Sequence, residues 1–147
     1  QFYANLNASY NFELNNKNFI NLNSQNFYLD SKNYISNELF RFGGMNSIRG
    51  FSENSLQGNF YSAILTEYRY IFSKSAYIHS IADYAIYQDL TNISNPKKIM
   101  NLIGIGIGAG IQTKNGVLRI ILTNGQQNQQ EIQLYNTIVN ICYNVKF

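Results

Sequence analysis

Apolar and polar residues alternate along most of this chain, and no other feature limits its fold so strongly. In Phe2-Tyr3-Ala4-Asn5-Leu6-Asn7-Ala8-Ser9-Tyr10-Asn11-Phe12 the even positions are all apolar or aromatic, and the odd ones are mostly Asn or Ser. Successive side chains of a strand point to opposite faces, so such a segment has one greasy side and one wet side. The last segment repeats the pattern, with Val139, Ile141, Tyr143, Val145 and Phe147 alternating with Asn140, Cys142, Asn144 and Lys146. Seven strands are expected, at about 2–13, 18–29, 60–72, 76–88, 99–113, 116–124 and 134–147, with no helix. Most exceed the ~9–11 residues that cross a bilayer as a tilted strand.

Composition narrows the class. Charged residues make up 13% of the 147, against about 25% in an ordinary soluble domain. The net charge is +3, and the longest basic run is Lys97-Lys98, which argues against nucleic acid as a partner. A single cysteine, Cys142, excludes an internal disulfide framework and a cysteine zinc cluster. The longest apolar run, Leu102 to Ile111, has 10 residues, about half the ~20 of a membrane-spanning helix.

The connections fall into two classes in strict alternation. Asn15-Asn16-Lys17, Ser73-Lys74-Ser75 and Lys114-Asn115 are short turns, whereas 30–59, 89–98 and 125–133 are long and polar. Outer-membrane barrels have short periplasmic turns and longer outer loops. Such barrels normally have an even number of strands, so seven strands, the first of them starting at Gln1, lead us to expect further strands before residue 1.

The 30–59 loop contains Phe40-Arg41-Phe42-Gly43-Gly44-Met45-Asn46-Ser47-Ile48-Arg49-Gly50-Phe51. Gly43-Gly44 followed by Ile48-Arg49-Gly50-Phe51 resembles the signature loop of the BamA-type outer-membrane assembly and secretion barrels, the surface-antigen superfamily. In that family the loop folds back into the barrel lumen. Three further pieces agree in order. Ile81-Ala82-Asp83-Tyr84-Ala85 resembles the family's aromatic-x-Asp-x-Gly strand. The run from Gly104 through Gly106, Gly108 and Gly110 to Thr113, with Gly116-Val117-Leu118-Arg119, resembles its glycine-rich penultimate hairpin. Tyr143-x-Val145-x-Phe147 is similar to a terminal insertion signal. The family commonly has a glycine in the last strand, where this chain has Asn140 and Cys142. The likeness covers about 38–147, and 1–37 more loosely.

Electrostatics gives the loop a place to dock. An Arg inside a barrel needs an anion. Asp83 lies opposite the apolar face formed by Ile78, Ala82, Tyr84 and Ile86, so it faces inward, and Glu67 and Arg69 share the inner face of the preceding strand. A charge on the lipid side would cost up to about 2–4 kcal/mol at mid-bilayer. Arg49 is therefore expected to meet Asp83, Glu67 or both, through a guanidinium whose five donors suit paired carboxylates better than Lys. Gly104, Gly106, Gly108 and Gly110 share one strand face, with Ile103, Ile105, Ile107 and Ile111 on the other. Glycine in a strand often marks close backbone approach, so the glycine face is expected to make room for the loop. Gly50 is expected to turn the tip, since glycine tolerates positive φ.

Other motifs carry less. Gly104-x-Gly106-x-x-Ala109 matches part of a dinucleotide fingerprint but lies inside an alternating strand, with no helix or acidic partner after it. His79 and Asp83 share a face without a nucleophile beside them.

Residues 1–147 are thus expected to be the C-terminal part of an all-β, antiparallel transmembrane β-barrel. The resemblance implies about sixteen strands in the whole, an even number as in other single-chain barrels. It also implies insertion, assembly or translocation of polypeptides at the bacterial outer membrane, without an enzymatic reaction, cofactor or metal. Its partners would be outer-membrane lipids, unfolded or secreted polypeptide clients and accessory assembly subunits. The final strand would flank a seam where a client strand adds by β-augmentation. The alternatives are a self-contained small barrel serving as a passive pore or structural protein, and a soluble β-sandwich whose apolar faces meet in a core.

Overall fold

A computed structural model of the chain describes residues 1–92, 98–128 and 132–145. Seven long strands form one antiparallel sheet: β1 (Phe2–Asn15), β2 (Asn18–Asp30), β5 (Phe60–Ser73), β6 (Ala76–Gln88), β7 (Ile99–Thr113), β8 (Gly116–Gln127) and β9 (Ile138–Val145). They lie side by side in chain order, interrupted only by a small hairpin, β3 (Phe40–Phe42) with β4 (Leu56–Gly58), inside the long loop. β1 and β9 are the sheet's two edges, and among the described residues they do not pair, so the sheet is open.

Strand bounds differ from expectation most at β8, which runs on to Gln127 instead of ending at 124, and at β9. The last strand starts at Ile138, not 134, because Leu134–Asn136 form a 3-10 turn with Leu134 and Tyr135 in the open. Phe147, the end of the expected terminal signal, lies outside the described residues. The hairpin of β3 and β4 was not anticipated: three-residue strands are too short to show a period.

Local chemistry closes the short turns. Asn15 Oδ1 accepts from the Lys17 and Asn18 backbone N–H groups at 3.0 and 3.1 Å, the side-chain mimicry of a turn that favours Asn there. Ser75 N–H donates to Ser73 Oγ at 3.2 Å, and Thr113 Oγ1 donates to the Gly116 carbonyl at 2.9 Å. These three turns share one end of the sheet, and the long connections share the other.

Register fixes what each face carries. Ser9, Asn23, Leu65, Asp83, Gly104 and Gly125 form one cross-strand row, and Asn11, Asn21, Glu67, Ile81, Gly106, Thr123 and Ile138 the row two residues along. Both belong to the face that the 31–59 loop covers. Glu13, Arg69, His79 and Arg119 lie on that face too, so Asp30, the last residue of β2, is the sole charge on the other side of the seven described strands. That bare side exposes Ile64, Ile103, Ile105, Ile107, Ile120, Leu122 and Ile141.

Under the loop, near the long-connection end, lies the apolar core. It contains Phe27, Leu29, Leu39, Phe42, Ile48, Tyr61, Ala63, Leu65, Ala85, Tyr87 and Leu102. Rings run across it from β1 to β6. Tyr3 meets Phe27 edge-on at 5.3 Å, Phe27 stacks on Phe40 at 4.9 Å, and Phe42 lies 4.2 Å from Tyr61 and 5.1 Å from Tyr87. Such pairs add about 0.5–1.5 kcal/mol each beyond the area they bury.

Candidate functional site

The loop reaches its site through a compact turn. Gly43 and Gly44 have φ of 105° and 102°, values that only glycine adopts at little cost. Gly43 N–H donates to Ser47 Oγ at 2.7 Å, and Gly44 N–H to the Ile48 carbonyl at 3.2 Å. The Gln25 side chain of β2 donates to the Asn46 carbonyl at 2.8 Å. This fold-back drives Ile48 into the apolar core, where it is fully buried, and presents Arg49 to the sheet.

Arg49 meets both carboxylates. Its Nε donates to Asp83 Oδ2 at 2.7 Å and its Nη2 to Asp83 Oδ1 at 2.6 Å, a two-pronged fork. Nη1 donates to Glu67 Oε2 at 3.2 Å, and Nη2 also to the Thr66 carbonyl at 3.2 Å. The Arg49 backbone N–H adds a bond to Asp83 Oδ2 at 3.2 Å. Arg49 is 8% exposed and Asp83 3%. In so shielded a place the planar fork gains both energy and direction. Burial works against the arginine's charge, but hydrogen bonds and attraction from Asp83 and Glu67 outweigh it and raise its pKa above the ordinary value.

The network continues beyond the loop. Glu67 Oε1 accepts from Arg69 Nη2 at 2.8 Å and lies 2.8 Å from His79 Nδ1. Arg69 in turn sits 4.5 Å over the Tyr77 ring. His79 is buried and does not face water; Nδ1 lies close to Glu67 but neither ring nitrogen makes a well-aligned hydrogen bond. The five ionisable groups Arg49, Glu67, Arg69, His79 and Asp83 thus form one chain of contacts across β5, β6 and the loop. Among the described residues, no group of three or more His, Cys, Asp or Glu could hold a metal.

Glycine lets the loop backbone touch the sheet, at fewer positions than expected. A Cβ at Gly104 would collide with the Arg49 carbonyl oxygen. The glycine face does not otherwise make room for the loop: Gly106 is covered by Leu122 and Thr123, Gly108 by the His79 ring and Gly110 by the Tyr77 ring. Rings from β6 lean into the spaces at Gly108 and Gly110, and the backbone of β8 with the Thr123 methyl closes the one at Gly106. The second loop contact is Gly125 of β8, which sequence reasoning missed. A Cβ there would strike the Gly50 carbonyl and approach the Phe51 ring, and one at Gly50, whose φ is 91°, would strike the Asn124 backbone. A lone glycine at the end of β8 carried no periodic signal.

The remaining expected residues lie apart. Tyr143 and Val145 are exposed on the bare face of β9, away from Arg49. Cys142 pairs in register with Arg119 and is half-buried, its Sγ 3.3 Å from Asn144 Oδ1. Compared with protein-family profiles, curated proteins and solved structures, the chain finds no match.

Proposed function

We propose that this chain is part of an outer-membrane β-barrel of the BamA type, whose Arg49 loop braces the inner wall and which inserts or translocates polypeptides without catalysing a chemical reaction. The observation that carries this reading is the segregation of charge across the sheet. Arg49 is pinned to Asp83 and Glu67 on one face, while the opposite face, apart from Asp30 at a strand end, is uncharged. A soluble sandwich would bring a second layer over that face, but only the loop side is covered.

The bare face is also zoned as a bilayer requires. At the short-turn end it carries Tyr10, Phe12, Tyr68, Tyr70, Phe72 and Tyr143, and at the other end Phe2 and Tyr28; between them lie Leu6, Ile64, Ile103, Ile105 and the ring of Tyr84, with the uncharged Ser24, Asn26, Ser62 and Thr66 among them. Membrane barrels place an apolar band between two such aromatic girdles. The unpaired edges at β1 and β9 favour a larger barrel over a self-contained one, and leave strand edges that template addition of another strand.

The test is Arg49→Ala in the full-length protein, with membrane fractionation and the rate of client-barrel assembly or passenger secretion as readouts. The expected result is normal membrane targeting with assembly or secretion reduced at least tenfold. Unchanged transport would remove the bracing role, and recovery of the protein in the soluble fraction would remove the membrane reading.

A further inference from the structure

The bare face is not uniformly filled. Between Tyr68 and Tyr70 on one side and Ile120 and Leu122 on the other, the small residues Ser80 and Ala109 leave a trough of about 570 Å³ with almost entirely apolar walls. Its size falls in the ~300–1,000 Å³ range of small-molecule sites. Two residue rows define it, Tyr68–Ser80–Ile107–Leu122 and Tyr70–Ile78–Ala109–Ile120, and both lie toward the short-turn end.

The rim at that end is cationic. Each of the three short turns carries one exposed lysine, Lys17, Lys74 and Lys114, and none carries an acid. Lys74 joins β5 to β6 and Lys114 joins β7 to β8, so both stand directly beyond the strands that wall the trough. Lys74 stands four residues beyond Tyr70 and Lys114 five beyond Ala109, which at ~3.3 Å per strand residue is ~13–17 Å, a gap that a lysine side chain narrows. An apolar slot ending under a positive rim is complementary to an acyl chain that ends in an anionic headgroup. The tyrosines at the slot's wall are residues that settle at the membrane–water interface.

We propose that this trough binds one acyl chain of an anionic phospholipid, with Lys74 and Lys114 holding its phosphate. The inference rests on the membrane reading of the bare face and adds a lipid of defined charge at a defined place. These 147 residues contain no tryptophan, so Tyr70→Trp, with every tryptophan elsewhere in the full-length protein replaced by phenylalanine, sets a single reporter in the trough wall. The full-length protein with that change is inserted into vesicles of phosphatidylcholine alone or of phosphatidylcholine and phosphatidylglycerol in equal parts. In the mixed vesicles, either one lipid or the other carries brominated chains. Brominated phosphatidylglycerol is expected to quench the reporter at least threefold more than brominated phosphatidylcholine. Added salt should reduce the difference, because exposed charges are screened. K74Q with K114Q should abolish it while insertion continues. Equal quenching by the two lipids in the inserted protein overturns the lipid site and leaves the membrane reading intact. Failure to insert into either vesicle overturns both.

Discussion

The carbonyl of Arg49 sits against the α-carbon of Gly104, where no side chain fits. This contact seats the loop: the residue that supplies the cation also rests its own backbone on β7, beside the strand that supplies Asp83. Gly104→Val should therefore lift the loop, not merely weaken the sheet. Overpacking of this kind costs about 1–3 kcal/mol. The expected outcome is faster trypsin cleavage after Arg49, by about tenfold or more, with strand content by circular dichroism unchanged. Cleavage at the wild-type rate would mean that the contact does not hold the loop.

Replacing the arginine separates charge from geometry. Arg49→Ala leaves Asp83 and Glu67 facing each other without their shared cation, a loss worth about 3–5 kcal/mol for a shielded pair. Arg49→Lys keeps the charge but cannot reproduce the fork on Asp83 or reach the Thr66 carbonyl with the same group. Its loss should fall between wild type and Arg49→Ala in denaturant unfolding. Full rescue by Lys would show that charge alone suffices.

The two carboxylates have unequal duties. Asp83 accepts three bonds from Arg49 and one from the Thr66 N–H at 3.1 Å. Glu67 gives Arg49 one contact and divides the rest between Arg69 and His79. Asp83→Asn should expose the loop to protease at least tenfold more than Glu67→Gln does. Equal exposure in the two variants would contradict the division.

Phe42 links the small hairpin to the sheet. It is 1% exposed, between Tyr61 and Tyr87. Phe42→Ala should cost about 3–5 kcal/mol, as large aromatic truncations in cores do. Phe51→Ala, at a half-buried site, should cost distinctly less. Thermal unfolding of the two variants checks the order.

The long strands were legible because each separates two unlike environments, so alternation persisted through β1, β5, β6, β7 and β9. The pairing of Arg49 with Asp83 and Glu67 was legible from two signals together: the resemblance folds the Arg49 loop back onto the sheet, and alternation puts both acids on the face opposite the apolar one, where a cation can meet them. Alternation carries no information where the chain makes single contacts. Phe40–Phe42 and Leu56–Gly58 are too short to show a period, and Leu134 and Tyr135 look like strand residues although they turn in the open. The glycines of β7 misled for a related reason. A missing side chain marks space, but whether a loop or a neighbouring ring fills it depends on register, which places His79 opposite Gly108 and Tyr77 opposite Gly110.

A single-cysteine scan along β9 tests the two-faced sheet most directly. Cys142 serves for its own position, and spin labels can be placed one at a time elsewhere from Ile138 to Val145 after Cys142→Ser, in the full-length protein freed of any other cysteine and reconstituted in lipid. Labels at positions 139, 141, 143 and 145 should collide with dissolved oxygen, which concentrates in lipid. Those at 138, 140, 142 and 144 should collide with a water-soluble nickel complex. Contact with the nickel complex at every position, with no two-residue period, would contradict a sheet that stands between lipid and an aqueous interior.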